Sequence, residues 1–511
     1  MGLVEHGFQQ DPFTVVAEFR SELYACLTAR SDALFELCDA LLCTDGPVRT
    51  FVELALAPEH RRGHGALYSG INRGRIDVAR LRRALTGVPL PRAGDGRLVL
   101  VLVLVLAVDV SPWLRPDADT SSDRSFCHTF GRGLGKHQMV PGWPYSIVAA
   151  LETGRTSWTA LLDAIRLEPG ADVAAVTADQ VRDVVQRLVD AGQWRAGDPK
   201  VLVVLDAGYD GPRIAHLLAD LPVEVLGRLR SDRVMRKPVP VPWICPPQGG
   251  RPPKHGGEFV FGRPETWGDP DVVTLTGTNR YGTATAQAWD RLHPRLTRRA
   301  AWGDHEGPLP IIEGTVIRLS VEKLPSGGVN KPVWLWWSGT SADPTDVDRC
   351  WQAFLRRFDV EHTFRLLKQT LGWTRPKLRD SQAADRWTWL VLAAHTQLRL
   401  ARPSLAISAV RGRGQRTRTD SPLHESAAGS GTCARSPARQ PVHRNPPGPA
   451  PAGHSDPRTG GPPPATASDE SSQPARHTAA PHTTRRERSR ADRTELQVRC
   501  HGATISGRIA P

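Results

Sequence analysis

The chain has 511 residues, 40% of them hydrophobic, so it is long and apolar enough for two or three domains with substantial cores. Its formal net charge of +13 favours a polyanionic partner such as nucleic acid, although the last 110 residues contribute +9 of that charge. The longest apolar run, 98–108, is too short to cross a membrane. Eight scattered cysteines without a Cys-x-x-Cys pair, and no hydrophobic leader, predict reduced thiols in a cytoplasmic protein.

Residues 1–92 are predicted to form a helical N-terminal domain. Apolar residues recur at helical spacing over 14–29 and 32–42. Basic patches lie beside these segments, at 59–64 and 73–83. A DNA-recognition bundle and a solvated helical cap both fit this pattern, and the sequence does not separate them.

Residues 93–400 are predicted to form the second domain, which begins with buried strands. The Leu/Val run at 98–110 predicts a central strand buried on both faces. Further strands are predicted at 200–206 and Val223–Leu229. The helices predicted between the first two strands lie at 158–166 and 178–191.

The second half of this domain begins with a β-rich insertion at about 235–340, where Pro, Gly, Thr, Val and Trp are abundant. We expect Trp334, Trp336 and Trp337 to pack in the core of a strand in preference to stacking on bases. The strand-like runs of the insertion lie at 272–276, Gly314–Val321 and Val333–Trp337. Amphipathic helices are predicted to follow at 345–371 and 381–400.

Residues 401–511 form a basic segment rich in Pro and Arg. From Arg402 onward the chain has 15 Pro and no Phe, Trp or Tyr, so it has too little apolar surface to offset the entropy of ordering, and we predict disorder. Such a tail could bind DNA phosphates non-specifically. We favour the alternative that it is an out-of-frame translation of GC-rich DNA, which resequencing of the gene would test.

Two of the predicted strands end in an aspartate, Asp109 and Asp206. Side chains at the ends of neighbouring strands in an open sheet can converge on a ligand. Paired carboxylates there hold hard divalent cations through oxygen. Because an aspartate at a strand end also starts turns, this pair is only suggestive on its own.

A third group of charged residues lies in the helix predicted at 345–371. At about 100° per residue, Arg357, Glu361 and Lys368 fall on one narrow stripe together with Phe354. The stripe places one carboxylate and two cations where they could face a phosphodiester. A solvated charged face would have the same pattern.

This spacing resembles the Tyr–Arg–Glu–Lys motif of DDE transposases from bacterial insertion sequences, in which two, three and six residues separate successive members. Phe354 takes the tyrosine position, and Arg357, Glu361 and Lys368 match in type and spacing. The sequence at 369–373 is also typical of those enzymes, and the β-rich insertion lies where the family has one. The resemblance covers about residues 50–400. Phenylalanine in place of tyrosine removes a phenol that could contact DNA.

The resemblance implies an RNase H-like α/β fold, a mixed sheet flanked by helices, that cuts and joins DNA strands at the ends of an insertion sequence. Asp109, Asp206 and Glu361 would bind two Mg²⁺ or Mn²⁺ ions, and Arg357 and Lys368 would bind phosphate. The substrates would be double-stranded DNA of the terminal inverted repeats and of the target. Synapsis of two DNA ends implies a homodimer, acting at the bacterial nucleoid.

Lys136 and His137 follow a polar segment that resembles the family's hairpin after the first strand, and both are candidate DNA contacts. The Gly131-x-Gly-x-Gly pattern there matches neither the Walker nor the Rossmann fingerprint, so no bound nucleotide is expected. Two alternatives stay open: a decayed or domesticated transposase that binds DNA without cutting it, and a nuclease or resolvase of the same fold. The Arg–Glu–Lys spacing favours a transposase.

Overall fold

A computed structural model describes residues 11–90, 104–130, 137–152 and 158–415, apart from 242, 245, 246, 248, 304, 325, 326 and 329. Within these ranges no helix is both long enough and apolar enough to cross a membrane.

The N-terminal segment is helical, as predicted. Asp11 accepts a hydrogen bond from the Phe13 N–H and Pro12 occupies the first turn, so the local sequence starts the first helix. Asp77 caps the fifth helix through the Arg80 N–H. The elements are α1 (Pro12–Cys26), β1 (Leu27–Ala29), α2 (Ser31–Cys43), α3 (Phe51–Leu54), α4 (His64–Arg73), β2 (Arg75–Ile76) and α5 (Val78–Gly87). The buried faces of α1 and α2 share one hydrophobic core with the last helix of the described chain.

A ten-stranded mixed sheet lies at the centre of the structure and confirms the predicted α/β class. Its first elements are β3 (Val105–Leu114), β4 (Ser125–Phe130), β5 (His137–Leu151), β6 (Thr159–Arg166), α6 (Val173–Asp190), β7 (Val201–Leu205), α7 (Gly211–Leu217) and β8 (Val223–Leu229). Strands β3, β7 and β8 run parallel, and β5 and β6 continue the sheet antiparallel on the other side of β3. The order β6-β5-β3-β7-β8, with a helix between β6 and β7, is the expected RNase H-like arrangement.

Four strands of the β-rich insertion extend this same sheet, and its first two strands form a separate antiparallel pair. Its strands are β9 (Val234–Arg236), β10 (Glu258–Val260), β11 (Val272–Thr278), β12 (Gly282–Leu292), β13 (Gly314–Val321) and β14 (Val333–Trp337). Strand β14 pairs antiparallel with β8, and β13, β12 and β11 follow outward to the edge. Trp334, Trp336 and Trp337 are at most 4% exposed, so the prediction that they pack in the core is confirmed.

The helix predicted at 345–371 is interrupted, so the prediction of one continuous helix was wrong. Its parts are α8 (Pro344–Arg356), α9 (Phe358–Arg365) and a π-helical turn, Leu366–Thr370. Helix α8 packs on β7 and the insertion strands, whereas α9 packs on β3, β5 and β6. A sheet twists from strand to strand, so these two regions of the sheet differ in orientation. Two shorter helices can pack against both regions, whereas one straight helix would lose contact with one of them. The next helix, α10 (Ser381–Gln415), was predicted to end at residue 400 and continues fifteen residues further.

Residues 158–166 were predicted to be helical and instead form strand β6, so that prediction was wrong. Leu161 packs into the core beneath α10, and Leu162 packs into the opposite core beneath α6. The first six residues of β6 are all buried. A short apolar run that is buried on both sides has no periodicity that distinguishes strand from helix.

Some predictions fall outside the described residues. They concern the first part of the strand predicted at 98–110, the glycine pattern that begins at Gly131, and residues 416–511 of the tail. The division into domains at residues 92 and 400 stays a prediction.

Candidate active site

The twofold period of β-strands directs Asp109 and Asp206 to the same face of the sheet. Ala107 on β3 and Val204 on β7 pack in the core that α8, α9 and α10 cover. Asp109 and Asp206 each come two residues later on the same strand path, so their side chains project toward that same helical layer.

The parallel register then makes the two aspartates neighbours. Val108 on β3 lies opposite Leu205 on β7, so the next residues, Asp109 and Asp206, are adjacent where β7 ends. The prediction that β3 ends at its aspartate was wrong, since β3 continues to Leu114 and pairs with β5 over that extension. Asp109 therefore lies within a paired strand and Asp206 directly after one.

A buried guanidinium joins both aspartates to the helical layer. Arg357 Nη1 donates a hydrogen bond to Asp109 Oδ2 at 3.1 Å. Arg357 Nη2 lies 3.5 Å from Asp206 Oδ2 and 3.7 Å from Glu361 Oε1. The Arg357 side chain is 3% exposed, whereas those of Asp109, Asp206 and Glu361 are 20%, 35% and 56% exposed. The interruption between α8 and α9 thus places a cation at the centre of three carboxylates.

One carboxylate oxygen of the cluster has no hydrogen-bond donor among the described residues. Arg228 Nη1, on β8, lies 3.7 Å from Asp206 Oδ1, but this oxygen accepts no hydrogen bond from any residue in the described ranges. Burial raises the pKa of Asp109 to about 6; the Arg357 guanidinium opposes that rise, and the charge of Asp206 adds to it. A partly exposed carboxylate with an unfilled acceptor oxygen can bind a further cation.

Lys368 lies beside the same cluster, on the π-helical turn. Its Nζ is 5.8 Å from the centre of the Trp373 ring. Partial burial lowers the pKa of Lys368, and the nearby Asp109 carboxylate opposes that change. Although the predicted straight stripe does not exist, the fold brings Arg357, Glu361 and Lys368 to the two aspartates.

The two candidates from the hairpin are not placed. Lys136 lies outside the described residues. His137 is located only as the first residue of β5, opposite Phe130, and its side chain also lies outside the described part. Their predicted contact with DNA stays a prediction.

The sequence reasoning missed Tyr209 and Arg228. The Tyr209 hydroxyl is buried close to Asp109, Arg357 and Ser146. Burial is the main reason why the pKa of Tyr209 is raised. Its position three residues after Asp206 was an available signal. Arg228 had none, because its proximity depends on the pairing of β8 with β7.

Part of the N-terminal basic patch serves the fold. Arg80 Nε donates to Glu22 Oε2 at 3.1 Å, and Arg82 Nε donates to the buried Asp163 at 2.9 Å. These two arginines are therefore paired with carboxylates of the chain itself. The patch has less free positive charge for a polyanion than its composition indicates.

The donor set fits a hard divalent cation. Asp109, Asp206 and Glu361 offer oxygen ligands, and one oxygen of Asp206 has no donor. In the described ranges no three His, Cys, Asp or Glu side chains are arranged around one ion position. At this site the three carboxylates do not surround one ion position because the guanidinium of Arg357 lies between them.

A protein-family model described as DDE superfamily endonuclease matches residues 22–295, more than half of the chain. No curated protein matches the chain significantly. The matched segment includes Asp109 and Asp206 and ends before Arg357, Glu361 and Lys368. The placement of the last three beside the aspartates rests on the geometry given above.

Proposed function

The chain belongs to the DDE superfamily of endonucleases, and on that basis we propose that it is a transposase that cuts and joins DNA at the ends of an insertion sequence. Endonucleases of this superfamily act on DNA, and their catalytic domains generally use divalent metals. The observation that carries the proposal is the convergence of Asp109, Asp206 and Glu361 on Arg357.

The carboxylates of Asp109, Asp206 and Glu361 would hold two Mg²⁺ or Mn²⁺ ions. When bound, the ions supply an activated water or DNA 3′-hydroxyl and stabilise the leaving oxygen. The strands fix the two aspartates relative to each other, while Glu361 on α9 is the most exposed of the three and closes the site from the helical layer. No covalent bond between enzyme and DNA is needed.

Arg357 and Lys368 would hold phosphate oxygens of the DNA. The planar guanidinium matches two phosphate oxygens at once and keeps its charge, so Arg357 has no acid–base role. Arg357 would exchange its carboxylate partners for phosphate when cations and DNA are present. Tyr209, in the turn after β7, would line the site beside Asp109 and Arg357.

The substrates would be duplex DNA of the terminal inverted repeats and of the target, bound by a homodimer. Residues 1–92 would contribute to recognition of the ends, residues 93–400 the chemistry, and residues 401–511 at most non-specific binding. The main alternative is a decayed transposase that binds its ends without cutting. It is raised by the position of the Arg357 guanidinium, which lies between the three carboxylates.

An excision assay in cells tests the proposal. A marker flanked by the terminal sequences of the element is supplied with the full chain, with Asp206→Ala, or with Asp190→Ala. Asp190 is an exposed residue at the end of α6, where its side chain accepts a hydrogen bond from Gln186 of the same helix, so its substitution is a matched control.

Excision by the full chain and by the Asp190 variant, but not by the Asp206 variant, supports a metal-dependent transposase. If none of the three proteins excises the marker while the full chain still binds the terminal sequences, the chain is a decayed transposase that only binds DNA. Excision that survives Asp206→Ala would overturn the assignment of the site.

A further inference from the structure

A short segment between the π-helical turn and α10 presents three cations on one side. Arg375, Lys377 and Arg379 are exposed, whereas the intervening Pro376 and Leu378 are buried. This alternation is that of extended backbone, in which successive side chains point to opposite sides. The residue before a proline also favours an extended conformation, so Pro376 holds Arg375 in the same geometry. We call Arg375, Lys377 and Arg379 the basic ridge.

The backbone under the basic ridge is anchored at both ends. Arg115, a buried arginine directly after β3, donates from Nη1 to the Pro376 carbonyl at 3.4 Å. Trp373 is fully buried, and its carbonyl accepts a hydrogen bond from Trp387 Nε1 at 2.8 Å. Asp380 then caps α10 through the Ala383 N–H. The three cations are therefore displayed by a fixed strip of chain, which reduces the ordering that a ligand must impose.

The cations of the basic ridge are available to a ligand. Within the described ranges, the side chains of Arg375, Lys377 and Arg379 form no hydrogen bond and no ion pair. The charge of Lys377 makes the smallest contribution to the lowered pKa of Asp117, which arises mainly from Arg115. Elsewhere the fold pairs arginines with carboxylates, as Arg80 does with Glu22. The ridge thus presents three neighbouring cations that have no ion pair among the residues the structure describes.

The basic ridge continues from the candidate active site. Lys368, beside Asp109, lies over the Trp373 ring, and the ridge begins two residues after that tryptophan. On the sheet side, Arg115 comes six residues after Asp109 along β3, a path of roughly 20 Å at the rise of a strand. That length corresponds to about six base pairs of duplex at 3.4 Å each. One duplex could thus contact the carboxylates and the ridge together.

We infer that the basic ridge binds backbone phosphates of the DNA duplex next to the bond that is cut. This inference rests on the function proposed above and names a surface for its substrate. The contacts are electrostatic, so they position the duplex and do not read its sequence. Each neutralised phosphate releases counterions, and the dependence of affinity on salt therefore reports the number of contacts.

The test measures binding of the full chain to a fluorescent DNA duplex of roughly 30 base pairs, three helical turns, over a range of salt concentrations. The double variant Arg375→Ala/Lys377→Ala is compared with Arg195→Ala/Lys200→Ala. Arg195 and Lys200 are also exposed, and they precede β7 at the end of the strand opposite Asp206. Both double variants remove the same charge, and thermal unfolding verifies that both fold.

We expect the ridge variant to reduce the slope of log affinity against log salt by about 1.8, the value for two lost phosphate contacts. The Arg195/Lys200 variant should keep the slope of the unchanged chain. The charge-preserving variant Arg375→Lys/Lys377→Arg should keep it as well. Equal slopes for the unchanged chain and the ridge variant, or equal losses in both alanine variants, would overturn the ridge and leave the proposed function standing. If the unchanged chain binds no duplex, the proposed function fails and the ridge fails with it.

Discussion

Two arginine–carboxylate clusters lie on the central sheet, and they are built in opposite ways. In the first, the single carboxylate of Asp163 on β6 is fully buried between Arg82 and Arg187, at 2.9 and 3.0 Å. In the second, the single guanidinium of Arg357 lies among three carboxylates that remain partly open to solvent, at 3.1, 3.5 and 3.7 Å.

The difference indicates which cluster serves the fold and which serves chemistry. Both oxygens of Asp163 are bonded, one of them also by the Ala164 N–H, so this cluster closes a connection between α5, β6 and α6. The Arg357 cluster keeps an unbonded oxygen on Asp206, and its carboxylates are partly exposed. A closed ion cluster has no room for a ligand, whereas an open one with an unbonded carboxylate oxygen can bind a cation.

Substitution of Asp163 should have the largest effect on stability. Asp163→Ala leaves two arginines without their carboxylate inside the protein, and we expect a loss of about 3–5 kcal/mol in the free energy of unfolding. Urea unfolding at neutral pH measures the loss. Asp190→Ala, at an exposed position, should stay within about 0.5 kcal/mol of the unchanged chain. A loss below that of ordinary surface changes would contradict a structural role for the Asp163 cluster.

Acid should lower the stability of the protein through a buried histidine that belongs to neither cluster. His395 is fully buried against Trp158, and burial lowers its pKa from 6.5 to about 3. Below pH 6.5, His395 therefore binds a proton in the unfolded chain but stays neutral in the folded chain. Stability is lost as the pH falls from 6.5 toward 3, by about 1.4 kcal/mol per pH unit.

Urea unfolding at pH 7 and pH 5 measures this loss, expected to be about 2 kcal/mol for His395 alone. His395→Leu should reduce the difference between the two pH values by that amount, because leucine has no proton to bind. An unchanged difference in the leucine variant would show that other groups cause the acid sensitivity.

Removal of Arg357 should have an intermediate effect that divalent cations reverse. Arg357→Ala takes away the internal cation, and we expect a loss of about 1.5–3 kcal/mol without metal, the range for hydrogen bonds to charged groups. Added Ca²⁺ should raise the unfolding temperature of this variant more than that of the unchanged chain, because the guanidinium no longer competes for the carboxylates.

Arg349→Ala is the control for this comparison. Arg349 is a partly buried arginine on α8 that pairs with Glu224 and Asp346, outside the candidate site. Its loss should lower stability without increasing the response to Ca²⁺. Equal responses of the two variants would show that Arg357 does not occupy a cation position.

Substitution of Asp206 should have the smallest effect on stability. Asp206→Asn removes one of three carboxylates around one guanidinium, so relief of repulsion offsets the lost attraction, and we expect a change within about 0.5 kcal/mol. Cleavage of DNA should nevertheless be lost. Urea unfolding and an excision assay on the same preparation measure both properties. A loss as large as that expected for Asp163 would place Asp206 among the structural residues.

Strands β6 and β7 show which kind of strand the sequence predicts and which kind it does not. A strand was predicted at 200–206, because five consecutive apolar residues lie between a Lys and an Asp. The structure has β7 at this place, Val201–Leu205. Residues 158–166 are also largely apolar, but they include Ala and an internal Asp, and they were assigned the wrong structure. Their conformation depends on the two cores that enclose β6, which no local pattern encodes.

The sequence by itself determined the residue types and spacings at the candidate site. Alternation along β3 and β7 directs Asp109 and Asp206 to one face, and the spacing of Arg357, Glu361 and Lys368 marked the helical segment that meets them. Tertiary structure decided the rest: the interruption of the helix at Arg357, the approach of Arg228 and Tyr209, and the extension of the sheet by the insertion. These features depend on strand register and sheet twist, which arise from contacts between residues far apart in the chain and therefore leave no periodic signal within it.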